Sequence, residues 1–243
     1  MARRQISSGR CALCGETFPK NVMTRHLARC LPAHPAKTKA RPRRTFRLLV
    51  EGRYLPMFWL HLEVSEDATL RTLDSFLRGI WLECCGHLSA FEIENVSYEL
   101  NTGGVDAMWP MFPMFGRQLP RQTGMDVKLK DVLRPGLKFT YKYDFGSTTE
   151  LALKVSAEQP GALSATDVRV LARNLPPDIR CGLCDQPATD ICIECYDKAE
   201  EVLCARHAAK HKHQDMLMPV VNSPRMGVCG YTGPSNPDRY FNP

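Results

Sequence analysis

Cysteine and histidine recur in this chain at spacings that suit tetrahedral metal binding. In CALCGETFPKNVMTRHLARC, two residues separate Cys11 from Cys14, His26 follows after eleven more, and Cys30 after another three. Two thiolates on a short knuckle can meet an imidazole and a third thiolate from successive turns of a helix, the pattern of a CCHC-type zinc finger. Towards the other end, CGLC supplies Cys181 and Cys184, CIEC supplies Cys192 and Cys195, and CARH supplies Cys204 and His207, with His211 and His213 beyond. Eight donors suffice for two zinc ions, with Cys181, Cys184, Cys204 and His207 on one and Cys192, Cys195, His211 and His213 on the other. A single site of Cys181, Cys184, Cys192 and Cys195 is the alternative, and Cys229 is a candidate to replace a histidine, since one residue between His211 and His213 strains joint ligation. Three ions are therefore expected, one N-terminal and two C-terminal, or two in the alternative. Four strong donors close a coordination shell, so these are structural rather than catalytic sites.

Something must hold these donors, and charge shows how the chain is divided. Residues 1–50 carry 12 Lys or Arg against the single acid Glu16, a charge of +11, whereas the remainder carries −5 within a total of +6. A basic head thus joins a mildly acidic body. The expected order is a finger with a basic arm at 1–32, a basic proline-rich linker at 33–44, a central domain at 45–172, a metal cluster at 179–216, and an irregular Gly/Pro-rich tail at 217–243 packed on the body. Both cysteine modules are too small to hold together by apolar burial alone, a deficit that metal binding removes.

The central segment reads as α+β, a sheet with a packed helix or helices flanked by the two zinc-stabilised modules. TFRLLVEG and MFWLHLEV have strand composition. Thr69 is placed to cap a helix whose Leu70, Leu73, Phe76, Leu77 and Ile80 recur at helical spacing through about Leu82. Phe91, Ile93 and NVSYEL suggest a further strand, and Trp109, Met111, Phe112, Met114 and Phe115 form an apolar cluster in a long loop. A short helix or turn near 127–133 precedes GLKFTYKYDF and STTELALKV, an antiparallel hairpin with Asp144, Phe145 and Gly146 at its turn.

Over residues 44–160 this arrangement resembles the Ri-plasmid open-reading-frame-three-like family, which is also linked to passenger proteins of insertion elements. The resemblance is carried by Tyr141, Tyr143, Asp144, Phe145 and Gly146, with weaker correspondences at Trp59, Leu70, Trp81, His87 and Leu88. Relatives commonly place an aromatic and a histidine after the turn, where this chain has Ser147, Thr148, Thr149 and Glu150. The family implies no biochemical activity. The C-terminal spacing, in turn, resembles a B-box or related cross-brace, folds that display protein-contact surfaces.

The expected function is that of a non-enzymatic modular zinc protein that contacts DNA through its basic end and proteins, or a second copy of itself, through its other domains. Arg3, Arg4, Arg10, Lys20, Arg25, Arg29, Arg43 and Arg44 are the candidate phosphate contacts. A protein-interaction adaptor that leaves those charges solvated is the alternative. An enzyme would have to draw on His61, His87 and Asp144, which the sequence does not bring together, and no phosphate loop, triad order or open metal motif accompanies them. Without a leader-like h-region or a run near the roughly 20 apolar residues of a membrane span, the 11 cysteines are read in a reducing cytoplasm, with nucleoid association if DNA is bound.

Overall fold

The computed structural model describes residues 7–36, 41–100 and 121–235. Arg3, Arg4 and the apolar cluster from Trp109 to Phe115 lie outside the described residues. The N-terminal segment forms β1 (Ser8–Cys11), β2 (Thr17–Pro19) and α1 (Lys20–Ala33). The central segment forms β3 (Arg43–Gly52), β4 (Trp59–Ser65), α2 (Leu70–Leu77), β5 (Ser89–Ile93), β6 (Val96–Glu99), β7 (Arg121–Gly124), α3 (Leu129–Val132), β8 (Lys138–Tyr143), β9 (Thr149–Gly161) and β10 (Val168–Asn174). The C-terminal part forms β11 (Asp190–Cys192), β12 (Val202–Leu203), α4 (Ala205–Ala208) and β13 (Leu217–Pro219).

One mixed ten-stranded sheet, in the order β2-β1-β10-β4-β3-β9-β8-β5-β6-β7, dominates the chain, and β12-β11-β13 form a small second sheet. All neighbours in the large sheet are antiparallel except β6 and β7. Alternation along a strand sends successive side chains to opposite faces, and β4 is buried on both. Leu60, Leu62 and Val64 enter the main core with Leu48 and Val50 of β3 and with Leu70, Leu73 and Leu77 of α2. On the opposite face, Trp59 meets Met23, Leu27 and Leu31 of α1 together with Leu171 and Ala172.

Through this second face the finger packs on the central domain. Strand β1 pairs with β10, Gly9 opposite Asn174, so the finger's hairpin continues the central sheet. The Trp59 indole donates to Ser7 Oγ at 2.8 Å, and its amide donates to Asn174 Oδ1 at 3.0 Å. A side chain at Gly9 would collide with the Trp59 ring and the Arg173 carbonyl, which makes that position's lack of Cβ a condition of docking. A small module gains from its neighbour the apolar burial it cannot supply alone.

Thr69 caps α2, its Oγ1 accepting the Thr72 amide at 3.2 Å. The expected helix reaches Leu82, but its last turn, Arg78–Leu82, is π-helical. The β8–β9 hairpin turns at Asp144, which has a φ of 65° and whose Oδ1 accepts the amides of Gly146 at 3.0 Å and Ser147 at 3.2 Å.

Candidate metal centres

Among the described residues, four groups of cysteine and histidine have their donor atoms within 4.8 Å of one another, an arrangement that could hold a metal ion. With Zn–S near 2.3 Å and Zn–N near 2.0–2.1 Å, the edges of a tetrahedral site are about 3.8 Å between sulfurs and about 3.6 Å between sulfur and nitrogen. Those lengths are the standard for each group.

The structure brings Cys11, Cys14, His26 and Cys30 together. The knuckle is closed by the Cys11 amide donating to the Glu16 carbonyl and the Gly15 amide donating to the Cys11 carbonyl, both at 2.9 Å. Helix α1 presents His26 and Cys30 on successive turns. Cys11 and Cys30 sulfurs lie 3.9 Å apart, and Cys14 Sγ is 3.4 Å from His26 Nε2. The Phe18 ring packs on the His26 ring at 4.1 Å between centroids, fixing its direction. Burial, then the neighbouring Cys11, pushes the Cys30 thiol up to about 12; a divalent cation among the sulfurs replaces the protons that crowding otherwise retains.

In the C-terminal part Cys181, Cys184, Cys204 and His207 form one group and Cys192, Cys195, His211 and His213 another. Pairs alternate along the chain, so each group crosses the other, and the four first cysteines do not share a site. His207 Nδ1 lies 3.2, 3.6 and 3.5 Å from Cys181, Cys184 and Cys204. Cys195 Sγ is 3.5 Å from both His211 Nε2 and His213 Nδ1. The two histidines present different ring nitrogens, with their planes at 89°, and that removes the strain expected of a one-residue gap. Gly182 sits against the Ala199 carbonyl, where a Cβ would collide, so the first knuckle closes on the turn that follows the second.

Cys229 does not replace a histidine here. It lies with Cys84, Cys85 and His87 of the central domain, a group that spacing did not reveal because 142 residues separate His87 from Cys229. The adjacent pair Cys84 and Cys85, isolated in the middle of the sequence, was the available signal. The tail that carries Cys229 is seated by polar anchors: Ser223 Oγ donates to the Trp81 carbonyl at 2.7 Å, and Arg225 is fully buried.

The motif residues of the central domain serve as anchors. Tyr141 donates to Asp74 at 2.7 Å, and Tyr143 donates to Glu83 at 2.8 Å. Arg225 donates to Asp144 Oδ2 at 2.8 Å, and this hydrogen bond holds the Asp144 carboxyl below its usual range. Phe145 is exposed at the turn. Of the three enzyme candidates, His87 and Asp144 approach to 3.6 Å, whereas His61 lies under α1, 3.5 Å from Thr24 Oγ1. Burial lowers the His61 pKa to about 3, with Arg47 and Lys20 contributing.

The candidate phosphate contacts divide. Lys20 pairs with Glu51, Arg43 with Asp67, and Arg44 with Glu66 and Glu158 at 2.8 Å. These charges are already answered by carboxylates. Arg10 donates to the Gly15 carbonyl at 3.1 Å and so braces the knuckle. Arg25 and Arg29 are exposed on α1 and have no acidic partner among the described residues.

A family model described as plasmid pRiA4b ORF-3-like protein matches residues 47–216. The match therefore runs beyond the central domain through the C-terminal ligands and begins after those of the finger. The crystal structure of a protein of unknown function from Methanosarcina mazei Go1 is similar at 18% identity and a TM-score of 0.41, covering 54% of this chain and 69% of that one. No curated protein matches. Among the described residues, no helix is long and apolar enough to cross a membrane.

Proposed function

The chain belongs to the plasmid pRiA4b ORF-3-like protein family, and from that premise we propose that it is a non-enzymatic zinc-dependent binding protein whose N-terminal finger contacts DNA. The observation that carries this reading is the closure of the donor sets at the finger and the C-terminal cross-brace, four strong donors to each. An ion so enclosed has no position for water or substrate and acts as a scaffold. The scaffold at the finger orients α1, where Arg25 and Arg29 stand one turn apart on an exposed face.

Two phosphate contacts correspond to a salt slope of about −1.8, or about a tenfold affinity loss between 50 and 200 mM salt. The test is a salt titration of duplex DNA binding by fluorescence anisotropy, with metal content measured on the same samples. Arg25→Gln with Arg29→Gln should weaken binding and flatten the slope while leaving zinc unchanged. Binding indifferent to both substitutions would overturn the DNA assignment.

A second reading, a protein-docking module, is favoured by Leu183 and Ile193, which stand exposed on the two knuckles of the cross-brace, with Tyr196 exposed beside them. Replacing the three by serine should abolish partner or self-association without loss of metal.

A further inference from the structure

All 11 cysteines of the chain fall into groups of four donors, three with the sulfurs of the finger and the cross-brace and one formed by Cys84, Cys85, His87 and Cys229. That last group has the same donor chemistry as the finger, three thiols and an imidazole, and none of its thiols is engaged in a disulfide. We propose that Cys84, Cys85, His87 and Cys229 form a fourth zinc site, which fastens the tail to the central domain.

The geometry is prepared from both sides. His87 Nε2 lies 3.3 Å from Cys229 Sγ, close to the tetrahedral edge of about 3.6 Å. In the loop before β5, the Tyr143 hydroxyl stands 3.4 Å from the amide nitrogens of both Cys84 and His87, and Glu83 Oε1 accepts the Gly86 amide at 2.6 Å. On the tail side Ser223 and Arg225 are buried anchors, and Cys229 has a φ of 49°, a left-handed conformation that residues other than glycine seldom adopt.

The Arg225 guanidinium also lies against the site, its Nη2 3.4 Å from Cys84 Sγ, where a donor favours the thiolate that a metal needs. Asp144 Oδ2 holds Arg225 at 2.8 Å and so fixes the direction of the guanidinium beside Cys84. Cys85 and Cys229 are exposed, more so than the donors of the cross-brace. This ion is accordingly the first to be lost to a chelator.

The experiment uses the full-length protein, saturated with Zn²⁺ under reducing conditions, desalted and analysed for metal. Four equivalents are expected, falling to three in Cys85→Ser with Cys229→Ser, and to three in Cys11→Ser with Cys14→Ser. Three equivalents in the native protein, unchanged by the Cys85 and Cys229 substitutions, would overturn the fourth site and leave the scaffold reading standing. No metal in any sample would overturn both. A second measurement needs no variant: alkylation of the native zinc-loaded protein, read by peptide mass spectrometry. Cys84, Cys85 and Cys229 should be protected, then be the first thiols labelled as chelator is added. Immediate labelling of these three, or a disulfide linking Cys85 to Cys229, counts against the site.

Discussion

Arg225→Met keeps an unbranched aliphatic stem at a buried position and removes the guanidinium and its charge. The native guanidinium donates to Asp144 Oδ2 at 2.8 Å, to Thr149 Oγ1 at 3.0 Å and to the Ser147 carbonyl at 3.1 Å, and it lies 4.8 Å from the centroid of the Tyr143 ring. The side-chain exposures are 0% for Arg225 and 7% for Asp144, so the carboxylate left behind cannot recover its hydration in place. Removing one member of a buried pair costs about 3–5 kcal/mol. In a chain of this size that lowers Tm by about 6–20 °C. Urea melts at neutral pH with zinc held saturating give the free energy, and chymotrypsin cleavage at Tyr231, which is 1% exposed in the native fold, reports release of the tail. Asp144→Asn added to Arg225→Met should cost less than the sum of the two single changes, because the second substitution discharges the orphaned carboxylate. A loss below about 1 kcal/mol, or strict additivity, would refute the claim that this pair locks the tail.

The His61 imidazole is buried and its pKa is lowered to about 3, chiefly by burial. The unfolded chain then binds the extra proton between about pH 6.5 and 3, so stability falls with pH by about 3 kcal/mol from pH 7 to 4. His61→Leu should remove that part of the acid limb, since Nδ1 has no partner to lose; identical acid limbs in the two proteins would sink the assignment. Gly9→Ala should separate β1 from β10 by collision with Trp59, costing about 1–3 kcal/mol and shifting tryptophan emission to the red; unshifted emission with unchanged stability would contradict it. Chelation should unfold the cross-brace before the sheet, because the buried cluster there consists of Cys181, Cys204, Leu203 and Ala208, half of them ligands. Hydrogen exchange over residues 181–219 should rise while β3 and β4 stay protected, and unchanged exchange in the cross-brace would oppose this.

The sheet's central strands, the capped helix and the β8–β9 turn were readable in local pattern, since each depends on alternation, helical spacing or the chemistry of a few adjacent residues. The double burial of β4 was less so. Trp59 and His61 lie on the face that meets the finger, and no period in MFWLHLEV says what covers it. The tyrosines of YKYDFG were visible as a motif, but their partners Asp74 and Glu83 lie 67 and 60 residues away.

Within the finger, sequence by itself determined which donors lie together, because a knuckle of four residues and a single helical turn leave the chain little choice of geometry, whereas in the C-terminal module it left two groupings open and the fold chose the alternating one. Only the tertiary structure decided three further matters. It joined the finger's hairpin to β10, it spent Lys20, Arg43 and Arg44 on carboxylates, and it carried Cys229 across 142 residues to His87. Each of these depends on pairing between distant segments, where the outcome is set by burial, edge hydrogen bonds and charge across the folded sheet and no spacing rule applies.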